Sequence, residues 1–178
     1  MSRLAVPAFE SATGATAEVY AQIKKAAGSV PNTFAAIGAL GPVELKAMLA
    51  ADGALAQGTL SKQDREAIKL RVSAIGGCEY CVAAHSLLGK LTGLQPEVLK
   101  QIRAGQPTGD AKRDALLRFV GNLVRTSGTI SQEQFDAIKA AGYTDAQLVE
   151  ISLAIAVTVF TNVFNRINDT TVDFPAVD

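Results

Sequence analysis

The chain has 178 residues, 48% of them hydrophobic and 19% charged, and its 17 basic and 17 acidic side chains give a net charge of zero. That much apolar surface offsets the entropy of ordering and excludes disorder over most of the chain, while the neutral balance leaves no basic field for nucleic acid and no polybasic patch for a membrane surface. The length suits one domain that buries roughly 70% of its extended surface without staples, and a neutral, lightly charged surface does little to hold copies apart, which points to a homo-oligomer.

Residues 1–14 read as an irregular arm, and MSRLAVPAFE contains no apolar core of signal-peptide length. From residue 15 to 168 the pattern is helical throughout. Thr16–Ala27 places Val19, Tyr20 and Ile23 on one face and stops at Gly28; Val30-Pro31-Asn32 is a turn, and Thr33–Ala39 a short helical piece. Pro42 opens the next segment, which Gly58 ends. Ser61 is an N-cap with Asp64 in the first turn of a segment that runs to Gly76-Gly77. Ile68 to Ala74 also alternates apolar and polar, as a half-buried strand does; the capping start and the helix formers of QDREAIKLR favour helix. Helices over Cys78–Leu91, Gln95–Ala104 and Asp110–Arg125 follow, then two capping boxes at Ser131–Gln134 and Thr144–Gln147, the second opening an apolar helix that reaches about Asn168. The tail 169–178 reads as coil. The fold class is all-α.

The longest apolar stretch, Ile151–Phe160, has ten residues against the ~20 that a bilayer span needs. No membrane crossing is expected, and the default compartment is the cytoplasm, where a cysteine pair is more often redox-active or metal-binding than structural. An internal echo pairs GTLSKQDREAIK (58–69) with GTISQEQFDAIK (128–139), identical at six of twelve positions. Continued at the same 70-residue offset, Cys78, Cys81 and His85 fall on Leu148, Ile151 and Ile155. A duplicated hairpin with chemistry in one copy explains this; so does capping chemistry shared by two helix starts.

The only histidine and the only two cysteines lie within eight residues, Cys78-Glu-Tyr-Cys81-Val-Ala-Ala-His85. On a helix the spacings i, i+3 and i+7 put all three on one face, with Cys81 and His85 direct neighbours. A Cys-x-x-Cys pair on one turn closes a disulfide with little backbone movement. Gly76-Gly77 places Cys78 at or near a helix N-terminus, whose amides and dipole stabilise a thiolate, and His85 one turn after Cys81 is placed to take the thiol proton. Zinc is an alternative, with Cys78, Cys81 and His85 as ligands and Glu66 as a fourth, although structural zinc sites usually draw pairs from two segments. A thioredoxin-like exchange protein is another, and it wants a βαβ pattern around the motif. The residues alone do not choose among Asp64, Glu66 and Glu79 as a carboxylate partner.

The run Glu66-x11-Cys78-x2-Cys81-x3-His85, within LSKQDREAIKLRVSAIGGCEYCVAAHSLLGKLTGL (60–94), resembles the active-site signature of the alkylhydroperoxidase D family, in the carboxymuconolactone decarboxylase-like superfamily. The resemblance implies an all-α oxidoreductase that acts on a peroxide through a redox-active disulfide, without metal, haem or flavin, and that an external dithiol reductant or adaptor resets. It implies that Cys81 is the peroxidatic nucleophile, that Cys78 resolves its sulfenic acid, and that His85 and Glu66 form a proton relay. It also implies a trimer or hexamer. Superfamily members that decarboxylate carboxymuconolactone generally lack the cysteine pair, so its presence argues against that activity. The arm and tail are longer than the family pattern, and Tyr80, between the cysteines, is a candidate to line the pocket or to fill it.

Overall fold

The structure, a computed structural model, describes residues 2–177; Met1 and Asp178, the outer ends of the expected arm and tail, lie outside the described residues. After a 3-10 turn at Phe9–Ser11, the described residues form nine α-helices and no strand: α1 Gly14–Ala27, α2 Asn32–Leu40, α3 Pro42–Ala56, α4 Lys62–Gly76, α5 Glu79–Leu91, α6 Pro96–Ala104, α7 Ala111–Arg125, α8 Gln132–Ala140 and α9 Asp145–Asn168.

The helix starts follow from side chains that satisfy the orphan amides of a first turn. Ser61 Oγ accepts the Asp64 N–H at 3.0 Å, and both expected capping boxes close, Ser131 with Gln134 and Thr144 with Gln147. Pro42 and Pro96 open α3 and α6, where no amide is needed. The arm is anchored at residues 3 and 4, whose N–H groups donate to the Asn168 carbonyl and to Asn168 Oδ1.

α4 is the central helix, packed by α5, α6, α7 and α9. Ile68 and Val72 join Leu116, Val120, Ile151 and Ala154 in one core cluster; Ala67 and Leu70 join Leu94, Leu99, Ile102 and Leu117 in another. A helix enclosed on several sides has no continuous polar stripe, and this explains why Ile68–Ala74 imitates strand alternation. Lys69 escapes between the clusters towards Asp52 of α3. Arg71 lies under the C-terminus of α6, where its Nη1 donates to the Ile102 and Arg103 carbonyls. A third cluster ties α1, α2 and α3 to Val157 of α9.

One expectation needs correction, and another meets a longer helix than the apolar run implied. α4 and α8 start 70 residues apart, at Lys62 and Gln132, but α5 and α9 start 66 apart, at Glu79 and Asp145. The 70-residue echo therefore covers the two helix starts, and the register of the cysteine helix is not repeated. Secondly, although no apolar run reaches 20 residues, α9 has 24 residues and a mean hydropathy of 1.7 over its most apolar window, enough to cross a membrane by length and composition. Asn162, Asn165 and Asn168, at spacings i, i+3 and i+6, are buried against other elements, so this face of α9 packs inside the protein.

Candidate active site

The α4–α5 turn places the cysteines. Gly77, the C-cap of α4, sits in the left-handed region at φ 65°, where a side chain is strained. A Cβ on Gly76 would come within 2.9 Å of Asn162 Nδ2, so the turn lies close against α9. Cys78 is then the N-cap of α5 rather than a residue of its first turn, and its Sγ accepts the Cys81 N–H at 3.3 Å. Cys78 and Cys81 form a disulfide across one helical turn, their Cα atoms 5.3 Å apart. Both are withdrawn from bulk solvent, at 2% and 3% exposure.

The α4–α5 pair packs antiparallel, and His85 Nδ1 meets Glu66 Oε2 at 2.9 Å. The four candidate residues are thus brought to one place. Asp64 and Glu79 are not: Asp64 faces Arg113, and Glu79 is exposed. Burial opposes ionisation of Glu66, but the hydrogen bond and charge of His85, with Lys69 and Arg65, outweigh it and hold the carboxyl below its ordinary value. Glu66 is therefore a carboxylate that fixes the ring through Nδ1 and leaves Nε2 for chemistry. The zinc arrangement is not formed, because the two sulfurs bond to each other and His85 to Glu66. Among the described residues no group of three His, Cys, Asp or Glu side chains is placed to hold a metal.

Cys81 and His85 open onto a cleft of about 460 Å3, the size of a small-molecule site. Its walls are mostly apolar and include Phe34, Met48, Leu88, Leu91, Val157 and Phe174. Cys78 does not line it. One ion pair does: Lys69 Nζ donates to Asp52 Oδ1 at 2.6 Å. Tyr80, read from sequence as pocket lining or filler, does more than either. Its O–H donates to Asp173 Oδ1 at 2.7 Å, its ring packs edge-on to Phe174 with centroids 5.4 Å apart, and burial raises its pKa, so it stays a neutral phenol. Asp173 Oδ2 also accepts the Asn32 N–H at 2.9 Å. The tail that reads as coil is thereby strapped over the cysteine pair.

Sequence reasoning missed Asn165. Its Nδ2–H donates to Cys81 Sγ at 3.2 Å, and its Oδ1 accepts the Thr33 Oγ1–H at 2.7 Å. The available signal was the i, i+3, i+6 spacing of Asn162, Asn165 and Asn168 in an apolar helix, since polar groups on a buried face need partners. Asn162 accepts from Ser73 Oγ on α4, and Asn168 serves the arm. Thr33, Asp52 and Asp173 carried no comparable signal.

Residues 42–116, which contain α3 to α6 and all four candidate residues, match the carboxymuconolactone decarboxylase family. The structure superposes with a TM-score of 0.87 on the alkylhydroperoxidase AhpD core of an uncharacterized peroxidase-related protein from Ralstonia eutropha, at 26% identity over 97% of this chain and 92% of that one. The chain has the AhpD-like helical fold, and its residues 42–116 are similar to the carboxymuconolactone decarboxylase family. The AhpD-like fold is shared with an uncharacterized peroxidase-related protein from Silicibacter sp. (TM-score 0.83, 23% identity, 96% of this chain and 91% of that one). It is shared also with a variant of the debrominase Bmp8 in complex with 2,3,4-tribromopyrrole (TM-score 0.81, 18% identity, 97% and 94%). No curated protein sequence matches the chain.

Proposed function

We propose that this AhpD-like protein is a thiol-dependent peroxidase. The observation that carries the reading is a Cys78–Cys81 pair joined at a helix N-terminus, with Cys81 opening onto an apolar cleft beside an imidazole that a buried carboxylate orients. In the reduced protein the Cys81 thiolate attacks the terminal oxygen of a hydroperoxide ROOH. The O–O bond breaks, the leaving alkoxide takes a proton through His85, and Cys81 becomes a sulfenic acid. The Cys78 thiolate attacks that sulfur, the S–O bond breaks and the hydroxyl leaves as water with one proton from the relay, and the disulfide of the structure results. A cytoplasmic dithiol returns two electrons and two protons. The apolar walls favour an organic hydroperoxide over hydrogen peroxide. A debrominase on the same fold means that architecture does not choose the substrate, so the test is chemical. One equivalent of an organic hydroperoxide added to the reduced protein is expected to yield one equivalent of alcohol and a loss of two hydrogens by mass spectrometry, with no intermolecular adduct. Persistent free thiols would overturn the reading in favour of an exchange protein.

We also propose a homo-oligomer, a trimer or hexamer, assembled through the outer face of α9. Val149, Ala156, Phe160, Val163 and Ile167 are exposed there, at spacings of a helix–helix seam. Sedimentation is expected to give a multiple of the chain mass, and Val163→Glu with Ile167→Glu to return it to one chain. A monomeric parent protein rejects this face as an interface.

A further inference from the structure

Burial suppresses a thiolate, because the charged form loses its hydration. Cys81 is 3% exposed, so a hydrogen-bond donor placed on the sulfur offsets hydration that the charged form has lost. Among the described residues the side-chain donor that reaches it is Asn165, through Nδ2–H at 3.2 Å. This donor is built rather than incidental. Asn165 is 4% exposed, so little water competes for the amide. Its orientation is held by Thr33, whose hydroxyl occupies Oδ1 at 2.7 Å. Thr33 is held in turn, because its N–H donates to the Tyr80 hydroxyl at 3.2 Å while that hydroxyl donates to Asp173. An amide N–H makes a weak bond to a thiol or a disulfide sulfur and a charge-assisted one to a thiolate. The two cysteines thus differ in their donors. Cys78 takes a backbone amide of the α5 N-terminus, and Cys81 takes a side chain from a helix 84 residues away in sequence.

We propose that Asn165 is a catalytic residue that stabilises the Cys81 thiolate, with Thr33 as the positioning residue that aims its amide. The proposal rests on the reading of Cys81 as the nucleophile. The other titratable groups around the cysteine pair and cleft are His85, Glu66, Lys69, Asp52, Tyr80 and Asp173, and the test leaves all of them in place.

The experiment uses the Cys78→Ser protein, in which Cys81 is the sole thiol, and follows its ionisation by ultraviolet thiolate absorbance and by iodoacetamide alkylation against pH. Asn165→Leu in that background is expected to move the Cys81 midpoint to higher pH, with the ionisation constant of the thiol lowered at least ~10-fold, the equivalent of one pKa unit. Asn165→Asp, of the same shape but without the N–H, is expected to move it at least as far. Alkylation at high pH, where every thiol is ionised, is expected to return to the parent rate. Thr33→Val is expected to shift the midpoint in the same direction by less, and Thr33→Ser to restore it. An unmoved midpoint in folded Asn165→Leu overturns the proposal. If that variant does not fold, identical midpoints in Thr33→Val and Thr33→Ser overturn it instead. Neither measurement uses a peroxide. A donor-dependent midpoint in a parent protein that consumes no hydroperoxide therefore supports the Asn165 role and rejects the peroxidase reading alone.

Discussion

Cys81→Ser is expected to reduce hydroperoxide turnover to the uncatalysed rate, whereas Cys78→Ser is expected to complete a single turnover and stop with a sulfenic acid at position 81. The asymmetry follows from where each sulfur points. Cys81 lines the cleft and Cys78 does not. Cys81 has His85 one turn away and the Asn165 amide on its sulfur. Cys78 is also placed to ionise, because it caps α5 and accepts an amide of the first turn. Its thiolate therefore suits the second step, attack on a neighbouring sulfur one helical turn away, and not the first, which needs access to substrate. A sulfenic acid-selective reagent followed by peptide mapping distinguishes the two sites. Trapping at Cys78 in the Cys81→Ser protein, at the parent rate, would reverse the assignment.

Glu66→Gln and His85→Gln are each expected to lower hydroperoxide turnover at least ~10-fold with the fold intact, because positioned acid–base groups contribute roughly 10²–10⁴-fold. The double variant is expected to lose far less than the product of the two effects, because Glu66 acts through the ring it holds at 2.9 Å. The same contact sets a pH dependence of stability. The Glu66 carboxyl is held below its ordinary value in the folded protein. Its contribution is therefore complete above the ordinary carboxylate value of ~4.3 and is lost as pH falls through the lowered folded value. Glu66→Gln, which does not titrate, is expected to remove that acid-side loss, read as the denaturation midpoint against pH. Parent-level turnover in Glu66→Gln would take the carboxylate out of the relay and leave Cys78, Cys81 and His85 as the reactive group.

The local half of this protein is legible in its residues. Ser61, Ser131 and Thr144 mark helix starts because a capping hydroxyl bonds an amide two or three residues on, and those bonds are present. The face shared by Cys78, Cys81 and His85 follows from helical spacing alone. Glu66 is an intermediate case. Helix lengths on either side of Gly76-Gly77 allow it to reach His85, but residue type does not separate it from Asp64 or Glu79, and a family signature was needed to choose.

What the sequence by itself determined is therefore whatever depends on a few neighbouring residues: the helices, their caps, the reactive face of α5 and the chemistry its side chains permit. Tertiary structure alone decided which groups surround that face. Asn165 lies 84 residues from the sulfur it serves, Thr33 lies 132 from Asn165, and Asp173 lies 93 from Tyr80. Their partners are chosen by how α2, α9 and the tail pack around α4 and α5. The hydrogen bond that orients a buried amide leaves no periodic trace in the chain, because its two ends obey the local rules of different elements.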